Sequence, residues 1–557
     1  MKDFDAIAAH DRRRTPLPRV TPGWIRSQLI GSDVRVRTPF GERRIVYADH
    51  VASGRALRWV EEFIAENVLP MYANTHTEDS ATGACMTALG HDAARLVKAS
   101  LGAPGCKLLF CGTGSTAAIR RLQEILGLVV SESHRARVLG ALPRSQRPLV
   151  FVGPYEHHSN EVSWRETIAE VVELPLDDEG GIDIDALGHA LCNASSAGRP
   201  LIGSFSAASN VTGALTDTRA IARLLHRYGA LACFDYAAGA PHLEIDMRPG
   251  EPDGYDAVFI SAHKFVGGPG APGILAFDPA LYRLRAPSVA GGGTVRYVSS
   301  REHCFVDDIE QREEAGTPGT VQRIRAALAF MVKDSIGAPT ISQLEGRMID
   351  DAISRLRRHP RIEVLGNLEA PRLAILSFLV RGRDGRELHP RLVTRLLNDL
   401  FGIQARAGCA CAGPYAHRLL RIDPSRADAY RDAVLRGFEV VKPGWTRINF
   451  SYFVDAAECA FLLDAVEFVA DHGHRFVDQY RCDWRTGAWR HPRDEAQPGL
   501  AALATQPPAK PPPTTGQTMR DCMHDAWAIL DAHRCAELPA VSIVPQGLPE
   551  SLVSFCH

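Results

Sequence analysis

The stretch Ala257-Val258-Phe259-Ile260-Ser261-Ala262-His263-Lys264 decides which fold class this sequence predicts. Its four opening apolar residues predict a short buried strand, and Lys264 follows where that strand would end. An earlier apolar run, residues 230–234, is followed in the same way by Asp235. Ligands of open α/β sheets gather outside the carboxyl ends of the strands. The two runs therefore predict a site that contains both Asp235 and Lys264.

A lysine and an aspartate at neighbouring strand ends are the pair that pyridoxal phosphate chemistry needs. The lysine amine can form a Schiff base with the cofactor aldehyde, and the carboxylate keeps the pyridine nitrogen protonated, so that the ring accepts electrons. For either residue alone, a turn-capping aspartate or a solvated surface lysine would be the simpler interpretation. The other motifs of the chain decide between these interpretations.

Strand and helix patterns alternate around these two residues. Residues 148–153 and 200–205 have the composition of buried strands. Thr216-Asp217 is a capping sequence for a helix with an apolar face, and Gly229 marks the end of that helix. Such alternation predicts βαβ units, and hence an α/β fold with a large, mostly parallel sheet. After about residue 330 the pattern changes to that of a smaller α+β domain.

These patterns divide the chain into five predicted parts. They are an N-terminal arm (1–45), a large cofactor-binding domain (46–330), a small α+β domain (331–495), a Pro-rich extended linker (496–517) and a tail (518–557). Within them we predict helices at 55–71, 339–358, 390–400 and 456–470 and a strand at 372–380. The linker prediction rests on its composition. The tail is predicted to hold one short helix at 521–533 and otherwise to be a floppy extension.

Composition argues against several classes of function. Of the 557 residues, 45% are hydrophobic and 23% charged, which is typical of soluble globular proteins. The formal net charge is −2 and no basic face is evident, so we expect no nucleic-acid and no membrane partner. The first residues lack the apolar core of a signal peptide, which favours a cytoplasmic location. The 13 cysteines form no CxxC pair, so we predict no metal site.

Three polar motifs follow other strand-like runs and are candidates for cofactor contacts. The glycine-rich turn 111–116 precedes a helical segment, so its backbone N–H groups and the hydroxyls of Ser115 and Thr116 suit a phosphate. Residues 155–160 carry two adjacent histidines, one of which can stack on an aromatic ring or move protons. Asn210 can hydrogen-bond a phenolic oxygen. Each motif also has a purely structural interpretation as a turn or a loop hydrogen bond.

A second group of candidates lies in the loop Arg406-Ala407-Gly408-Cys409-Ala410-Cys411-Ala412. A thiol near an arginine can have its thiolate stabilised and so become nucleophilic. The alternatives are a pair of core thiols, half of a metal site, or a regulatory disulfide. A soft-metal site needs about four ligands, and a disulfide between cysteines two positions apart forms a strained ring.

Arg447 is a lone arginine in the apolar, strand-like run Trp445 to Ser451. A guanidinium in such surroundings costs free energy unless it is paired. A substrate carboxylate, bound by two hydrogen bonds, is one partner that fits. An internal salt bridge with an aspartate or glutamate fits equally well.

Taken in order, these motifs resemble the class V aminotransferase family, and within it the cysteine desulfurase and selenocysteine lyase branch. The likeness runs from about Tyr47 to about Gly473. The matching segments are Tyr47-Ala48-Asp49-His50-Val51-Ala52 (the first-strand motif), Ser261-Ala262-His263-Lys264 (the Schiff-base motif), Glu314-Ala315-Gly316-Thr317-Pro318 (the segment that reaches the neighbouring subunit's cofactor phosphate), Arg406-x-Gly408-x-x-Cys411-Ala412 (the persulfide-cysteine motif) and Arg447 (the carboxylate-binding arginine).

The resemblance implies the type I pyridoxal phosphate fold, which is that of the aspartate aminotransferases, assembled as a homodimer with an amino-acid substrate and a possible sulfur-acceptor protein. It also implies a role for each matching residue. Lys264 would be the Schiff-base lysine, Cys411 the nucleophile, Asp235 the pyridinium partner, His157 the residue stacked on the ring, Asn210 the partner of the phenolic oxygen, and Ser115, Thr116, Ser261, His263 and the partner copy's Thr317 the phosphate ligands, while Arg447, Arg406 and Asn210 would bind substrate.

The sequence departs from the family pattern after Asp235. The family usually carries glutamine three positions later, where it also bonds the phenolic oxygen, whereas this chain has Ala238. The function implied is desulfuration of L-cysteine or selenocysteine, with alanine as product and a persulfide on Cys411. A transaminase, epimerase or C–S lyase with an idle cysteine is the second hypothesis, and a non-catalytic scaffold of the same fold is the third.

Overall fold

A computed structural model describes residues 19–195, 198–382, 385–496, 498–505, 518–533 and 544–555. Its strands are β1 (Arg35–Thr38), β2 (Gly41–Arg44), β3 (Val46–Tyr47), β4 (Lys107–Cys111), β5 (Leu149–Val152), β6 (Glu170–Glu173), β7 (Leu201–Ser206), β8 (Leu231–Asp235), β9 (Ala257–Ser261), β10 (Gly273–Phe277), β11 (Val295–Val298), β12 (His303–Phe305), β13 (Ile362–Val364), β14 (Ile375–Val380), β15 (Ile403–Gln404), β16 (Arg406–Gly408), β17 (Trp445–Asn449), β18 (Arg481–Cys482) and β19 (Trp489–Arg490).

The helices are α1 (Pro22–Gln28), α2 (Arg58–Phe63), α3 (Ala81–Ser100), α4 (Gly114–Ile125), α5 (Glu132–Ala141), α6 (Val162–Arg165), α7 (Ile184–Ser195), α8 (Thr218–Arg227), α9 (Ile309–Arg312), α10 (Thr320–Ile336), α11 (Ala338–Leu356), α12 (Pro390–Phe401), α13 (Gly413–Leu419), α14 (Pro424–Leu435), α15 (Ala456–His472), α16 (Leu500–Thr505) and α17 (Met519–His533). The helix predicted at 55–71 is divided, since a π-helical turn (Ile64–Val68) and a 3-10 turn (Leu69–Met71) follow α2.

A seven-stranded sheet forms the centre of the larger part of the molecule. Its strand order is β4-β10-β9-β8-β7-β5-β6. All neighbours from β9 to β6 are parallel, whereas β10 runs antiparallel to both β9 and β4. The sheet is thus mostly parallel, which confirms the predicted α/β class. Because β8 and β9 are adjacent and parallel, their carboxyl ends place Asp235 and Lys264 on the same edge.

The sheet is buried on both faces, as expected for parallel strands that run through a continuous core. Every residue of β5, β7, β9 and β10 is buried. Alternate residues point to opposite faces: Phe259 packs in an apolar cluster with α4, whereas Ile260 packs in the cluster that includes α3 and α10. The apolar runs of the sequence therefore became interior strands because helices cover both sides.

A second sheet, with strand order β13-β14-β17-β16, is antiparallel throughout and packs in a separate apolar cluster with α11, α12 and α15. β16 ends just before Cys409, and β17 carries Arg447. The short strand β3 pairs in parallel with β15. This pairing brings the turn that begins at Asp49 against the second sheet. The residue limits of the five predicted parts of the chain stay a prediction.

The structure corrects two expectations about the chain after residue 495. Leu500–Thr505 form the helix α16, so the prediction of an extended linker is wrong for these residues, while 506–517 lie outside the described residues. The tail helix α17 is not part of a floppy extension. Cys522, Ala526 and Leu530 are spaced four apart on one face and are buried in the same cluster as α12 and α15. In the described part of the chain, no helix is both long and apolar enough to cross a membrane.

Candidate active site

One cavity of about 240 Å³ at the carboxyl edge of the large sheet brings together nearly all of the candidate residues. Those that line it are Ser115, Thr116, His157, Asn210, Asp235, Ser261, His263, Lys264, Arg406, Cys411 and Arg447. Thr317 does not line it, so its proposed donation to a neighbouring copy stays a prediction. Ala238, at the position where the family usually has glutamine, also lines the cavity.

Lys264 ends a short 3-10 turn, Ala262–Lys264, which directly follows β9. Burial lowers the pKa of its amine from 10.5 to about 8, against the opposing effect of the nearby Asp235 carboxylate, and Arg447 lowers it further. Desolvation disfavours the charged form of a lysine, so the neutral amine becomes accessible near physiological pH. A neutral amine is the form that attacks a carbonyl carbon or accepts a proton.

Asp235 ends β8 and is only 3% exposed. Its Oδ1 accepts a hydrogen bond from the backbone N–H of Ala237 at 2.8 Å. Burial raises the pKa of this carboxyl. The charge of Lys264 opposes this effect, but the described residues form no salt bridge with Asp235, and a buried carboxylate that is not directly paired is costly. The carboxylate is therefore suited to a cationic ligand group, such as a protonated pyridine nitrogen.

The amino end of α4 forms a polar cradle beside Lys264. The backbone N–H of Ser115 donates to Ser261 Oγ at 2.9 Å, and Ser261 Oγ donates to Ser115 Oγ at 3.1 Å. Gly114, which begins the helix, has a φ of +58°, and a Cβ there would lie 2.9 Å from Ser261 Oγ. The close approach of these groups requires glycine. Backbone N–H groups and hydroxyls at a helix amino end suit a phosphate.

His157 lines the same cavity. Its Nδ1 accepts a hydrogen bond from the backbone N–H of Ser159 at 3.1 Å. Burial, followed by the charge of Lys264, lowers the pKa of His157 to about 4, so the ring is neutral at pH 7. The hydroxyls of Ser159 and Thr116 are 2.6 Å apart, which connects the histidine loop to the cradle. A neutral, fixed imidazole can stack flat on an aromatic ring.

The buried side chain of Glu156 fixes the loop that carries His157, and the sequence reasoning missed it. Its carboxyl oxygens accept from the backbone N–H groups of Gly153 and Ser206 at 3.1 and 2.8 Å, from Asn160 Nδ2 at 2.7 Å and from Ser206 Oγ at 2.6 Å. Burial raises its pKa to about 7. The only signal in the sequence was a glutamate directly next to a candidate histidine.

The cysteine loop between β16 and α13 enters the same cavity. Ala410 and Cys411 both have left-handed backbone conformations, with φ of +51° and +58°. Three contacts hold this turn: Asn210 Nδ2 donates to the Ala410 carbonyl at 2.7 Å, the His158 N–H donates to the Cys411 carbonyl at 2.8 Å, and the Gly413 N–H donates to His158 Nε2 at 3.0 Å. Cys411 is exposed and lines the cavity.

Cys409 differs from Cys411 in position, since it does not line the cavity and packs against the core of the large sheet.

The sequence did not indicate the contacts that two other residues make with this loop. Asn210, which the resemblance predicts to bond a cofactor oxygen, donates to the Ala410 carbonyl of the loop. His158, the second histidine of its pair, anchors the loop through both its backbone and its ring.

Arg447 lies in an internal salt bridge, which is the alternative that the sequence left open. Its guanidinium donates to Asp49 Oδ1 at 2.9 Å and to the Asn210 carbonyl at 2.8 Å. Asp49 Oδ2 accepts from Arg406 Nε at 2.8 Å. Burial lowers the pKa of Arg447, and the Asp49 carboxylate opposes that effect. Asp49 belongs to the first-strand motif, and its part in the site is not evident from the sequence.

Comparisons with known proteins identify the family of this chain. The family model described as aminotransferase class-V matches residues 46–430. A probable cysteine desulfurase of Streptomyces coelicolor is 26% identical over 435 residues, which cover 76% of this chain and 98% of the relative. A probable cysteine desulfurase of Halalkalibacterium halodurans is 26% identical over 410 residues, which cover 72% and 93%.

Two solved structures have the same fold. An apo cysteine desulfurase from Thermococcus onnurineus superposes with a TM-score of 0.62 at 21% identity, over 77% of this chain and 95% of that protein. The cysteine desulfurase CsdA of Escherichia coli gives 0.60 at 22% identity, over 81% and 98%. At this level of identity the likeness establishes the fold.

Proposed function

Because this chain belongs to the class-V aminotransferase family, we propose that it is a pyridoxal phosphate enzyme that removes sulfur from L-cysteine, giving alanine and a persulfide on Cys411. The observation that carries the proposal is that the Cys411 loop lines the same cavity as Lys264 and Asp235. A transaminase or epimerase needs the lysine and the aspartate but has no use for a thiol in that position. The names of the relatives support the same activity.

The residues of the cavity fit pyridoxal phosphate. Asp235 would hold the pyridine nitrogen, His157 would cover one face of the ring, and the helix amino end with Ser115, Thr116, Ser261 and His263 would hold the phosphate. Lys264 would bind the aldehyde carbon. When bound, the cofactor supplies a cationic ring that stabilises negative charge at the substrate Cα.

Lys264 is then the base for the substrate Cα–H. Its lowered pKa, about 8, lets a useful fraction of the amine be neutral at physiological pH. Lys264 lies on a short, hydrogen-bonded turn at the end of β9, which would hold its amine near the substrate Cα. Positioning of this kind removes much of the entropic cost of the proton transfer.

The substrate carboxylate would bind at Arg447 and Arg406. Both guanidinium groups line the cavity, and both are oriented by the same carboxylate, that of Asp49. Binding there would direct the substrate side chain toward the Cys411 loop, because β16 and β17 are neighbours and the loop follows β16. This arrangement would place the substrate sulfur beside Cys411.

Sulfur transfer is a nucleophilic attack by the Cys411 thiolate on the substrate sulfur. An S–S bond forms at Cys411 Sγ as the substrate C–S bond breaks, and the electron pair of that bond stays with the carbon product. Protonation of this product gives alanine. The exposed position of Cys411 leaves the terminal sulfur accessible to a thiol reductant or to an acceptor protein.

The test measures alanine and sulfide formed from L-cysteine in the presence of a thiol reductant. We expect both products from the wild type and none from Cys411→Ser, with the cofactor absorbance retained. Cys409→Ser is the matched control, since Cys409 lies in the same loop but outside the cavity, and should keep the activity. Pyruvate instead of alanine, or undiminished desulfuration by Cys411→Ser, would contradict the proposal and favour a lyase, epimerase or aminotransferase.

A homodimer is part of the same proposal. Thr317 lies outside the cavity of its own chain, which fits a role at the phosphate of a second copy. Light scattering gives the mass of the assembly. Weaker cofactor binding by Thr317→Ala within an intact dimer would support the shared site.

A further inference from the structure

The side chain of Asn210 lies between the cavity and the cysteine loop. Asn210 is 8% exposed and lines the cavity, and its Nδ2 donates to the Ala410 carbonyl at 2.7 Å. Because a carbonyl oxygen can only accept, the amide nitrogen must be the atom that faces the loop. This nitrogen carries two N–H groups, and among the described residues Ala410 is its only acceptor. A second N–H therefore remains available to a ligand.

The backbone that carries Asn210 is fixed on more than one side. The Asn210 carbonyl accepts a hydrogen bond from Arg447 Nη1 at 2.8 Å. The turn is closed by a hydrogen bond from the Gly213 N–H to the Ser209 carbonyl at 3.0 Å. All of residues 209–214 are buried. The amide therefore projects from a rigid support, so that a contact on its cavity side can affect its contact with the loop.

The cysteine loop depends on a few contacts for its conformation. Ala410 and Cys411 have φ of +51° and +58°, in the left-handed region that is unfavourable for residues with a Cβ. The Ala410 carbonyl accepts from Asn210, and the Cys411 carbonyl accepts from the His158 N–H at 2.8 Å. Asn210 lines the cavity, whereas His158 does not. Of these two donors, only Asn210 is placed to contact a bound cofactor as well.

We propose that Asn210 is a positioning residue that couples the cysteine loop to the cofactor. The inference rests on the proposed function, because it requires pyridoxal phosphate to bind with its phenolic oxygen at Asn210. One N–H would then donate to that oxygen and the other to the Ala410 carbonyl. An amide that is already held on its cavity side loses less freedom when the loop closes on it, so cofactor binding orders the loop that carries Cys411. Sulfur transfer then begins from a thiol that is already in position.

The experiment measures hydrogen exchange of the backbone amides in peptides that contain residues 409–413, with pyridoxal phosphate bound and after its removal. The Ala412 N–H donates to the Cys409 carbonyl at 3.0 Å, and the Gly413 N–H donates to His158 Nε2 at 3.0 Å. Both amides therefore exchange when the loop opens. We expect the cofactor to slow this exchange in the wild type by about fivefold or more, which is the lower end of typical coupling between two sites.

Asn210→Ala removes the amide and should remove the coupling. At a concentration of pyridoxal phosphate that saturates the cofactor absorbance, the exchange rates of the loop with and without cofactor should become nearly equal. A purely structural role of Asn210 would instead speed the exchange by the same factor in both states and leave the ratio of the two rates unchanged.

Tyr415→Phe is the matched control. The hydroxyl of Tyr415 lies 3.3 Å from that of Thr212, so it joins the turn of Asn210 to the helix that follows the cysteine loop. Neither Tyr415 nor Thr212 lines the cavity. Removing this hydroxyl should speed the exchange by a similar factor with and without cofactor, so the ratio of the rates should stay that of the wild type.

Two results would overturn the inference. One is a wild type whose loop amides exchange at the same rate with and without bound cofactor, a result that requires no variant and so does not depend on the folding of Asn210→Ala. The other is an Asn210→Ala protein in which the cofactor still slows the exchange by the wild-type factor. Because the exchange is measured without an amino-acid substrate, these results are distinguishable from a failure to form alanine from L-cysteine.

Discussion

Replacing His158 with phenylalanine should slow sulfur transfer to Cys411 and leave cofactor binding intact. The His158 N–H donates to the Cys411 carbonyl at 2.8 Å, and Nε2 accepts from the Gly413 N–H at 3.0 Å. Phenylalanine keeps the first contact and removes the second. A neutral hydrogen bond contributes roughly 0.5–1.5 kcal/mol. If the transition state needs the loop in this position, the transfer rate falls roughly 2- to 13-fold.

The assay is single-turnover sulfide release, with the absorbance of bound pyridoxal phosphate recorded on the same samples. His158→Gln is the matched control, because a glutamine side chain retains an acceptor oxygen. A phenylalanine variant that transfers sulfur at the wild-type rate would refute the reasoning. A variant that loses the cofactor would refute it as well, because the contact would then stabilise more than the loop.

The stabilising effect of the His158 ring depends on pH, and the sign of this dependence follows from the pKa of His158. Burial, followed by the charge of Arg165, lowers the pKa of His158 below 6.5. Only the neutral ring can accept from Gly413, and protonation turns Nε2 into a donor. The unfolded state therefore binds more protons, and this contribution to stability is present above pH 6.5 and is lost as the pH falls toward the lowered pKa. The free energies of unfolding of the wild type and of His158→Phe should therefore differ at pH 8 and converge only well below pH 6.5.

Two further predictions concern the cradle and the tail. Gly114→Ala should weaken pyridoxal phosphate binding by at least about tenfold, because the new Cβ would lie 2.9 Å from Ser261 Oγ at a residue with a φ of +58°. Equilibrium dialysis measures the affinity, and an unchanged affinity would contradict the need for glycine at this position. Leu530→Ala should lower the free energy of unfolding by about 2–5 kcal/mol, because Leu530 is fully buried. Leu503→Ala, at an exposed position of α16, should change it by less than about 0.5 kcal/mol. Denaturant-induced unfolding measures both, and equal effects would contradict the packing of α17.

The elements that carry the cofactor site could be predicted because their signals are local. A short apolar run that ends in Asp235, and another that ends just before Lys264, identify strand and strand end together. The glycine-rich turn at 111–116 announces the start of α4 in the same way. Parallel pairing then brings these ends to one edge of the sheet without any further information.

The contacts that the sequence did not reveal depend on pairing between distant segments. Nothing in the sequence near Asp49 indicates that its partners are Arg406 and Arg447. The sequence therefore could not distinguish an Arg447 that is paired within the protein from an Arg447 that is left to bind a ligand. The prediction that the tail is a floppy extension was wrong for a related reason. Its helix was predicted from local pattern, but the four-residue spacing of Cys522, Ala526 and Leu530 does not say which surface covers that face.

The salt bridges of Asp49 also have a consequence for the biosynthesis of the protein. They join Asp49 to Arg406 and Arg447, which lie 357 and 398 residues away in the chain. Closing loops of that length costs entropy before the contact contributes any stabilisation, which makes such pairing slow. Asp49 leaves the ribosome long before Arg447 has been translated. A chain that is interrupted before residue 447 can build strands of the large sheet, but it has no complete substrate pocket, so assembly of the pocket coincides with near-completion of synthesis.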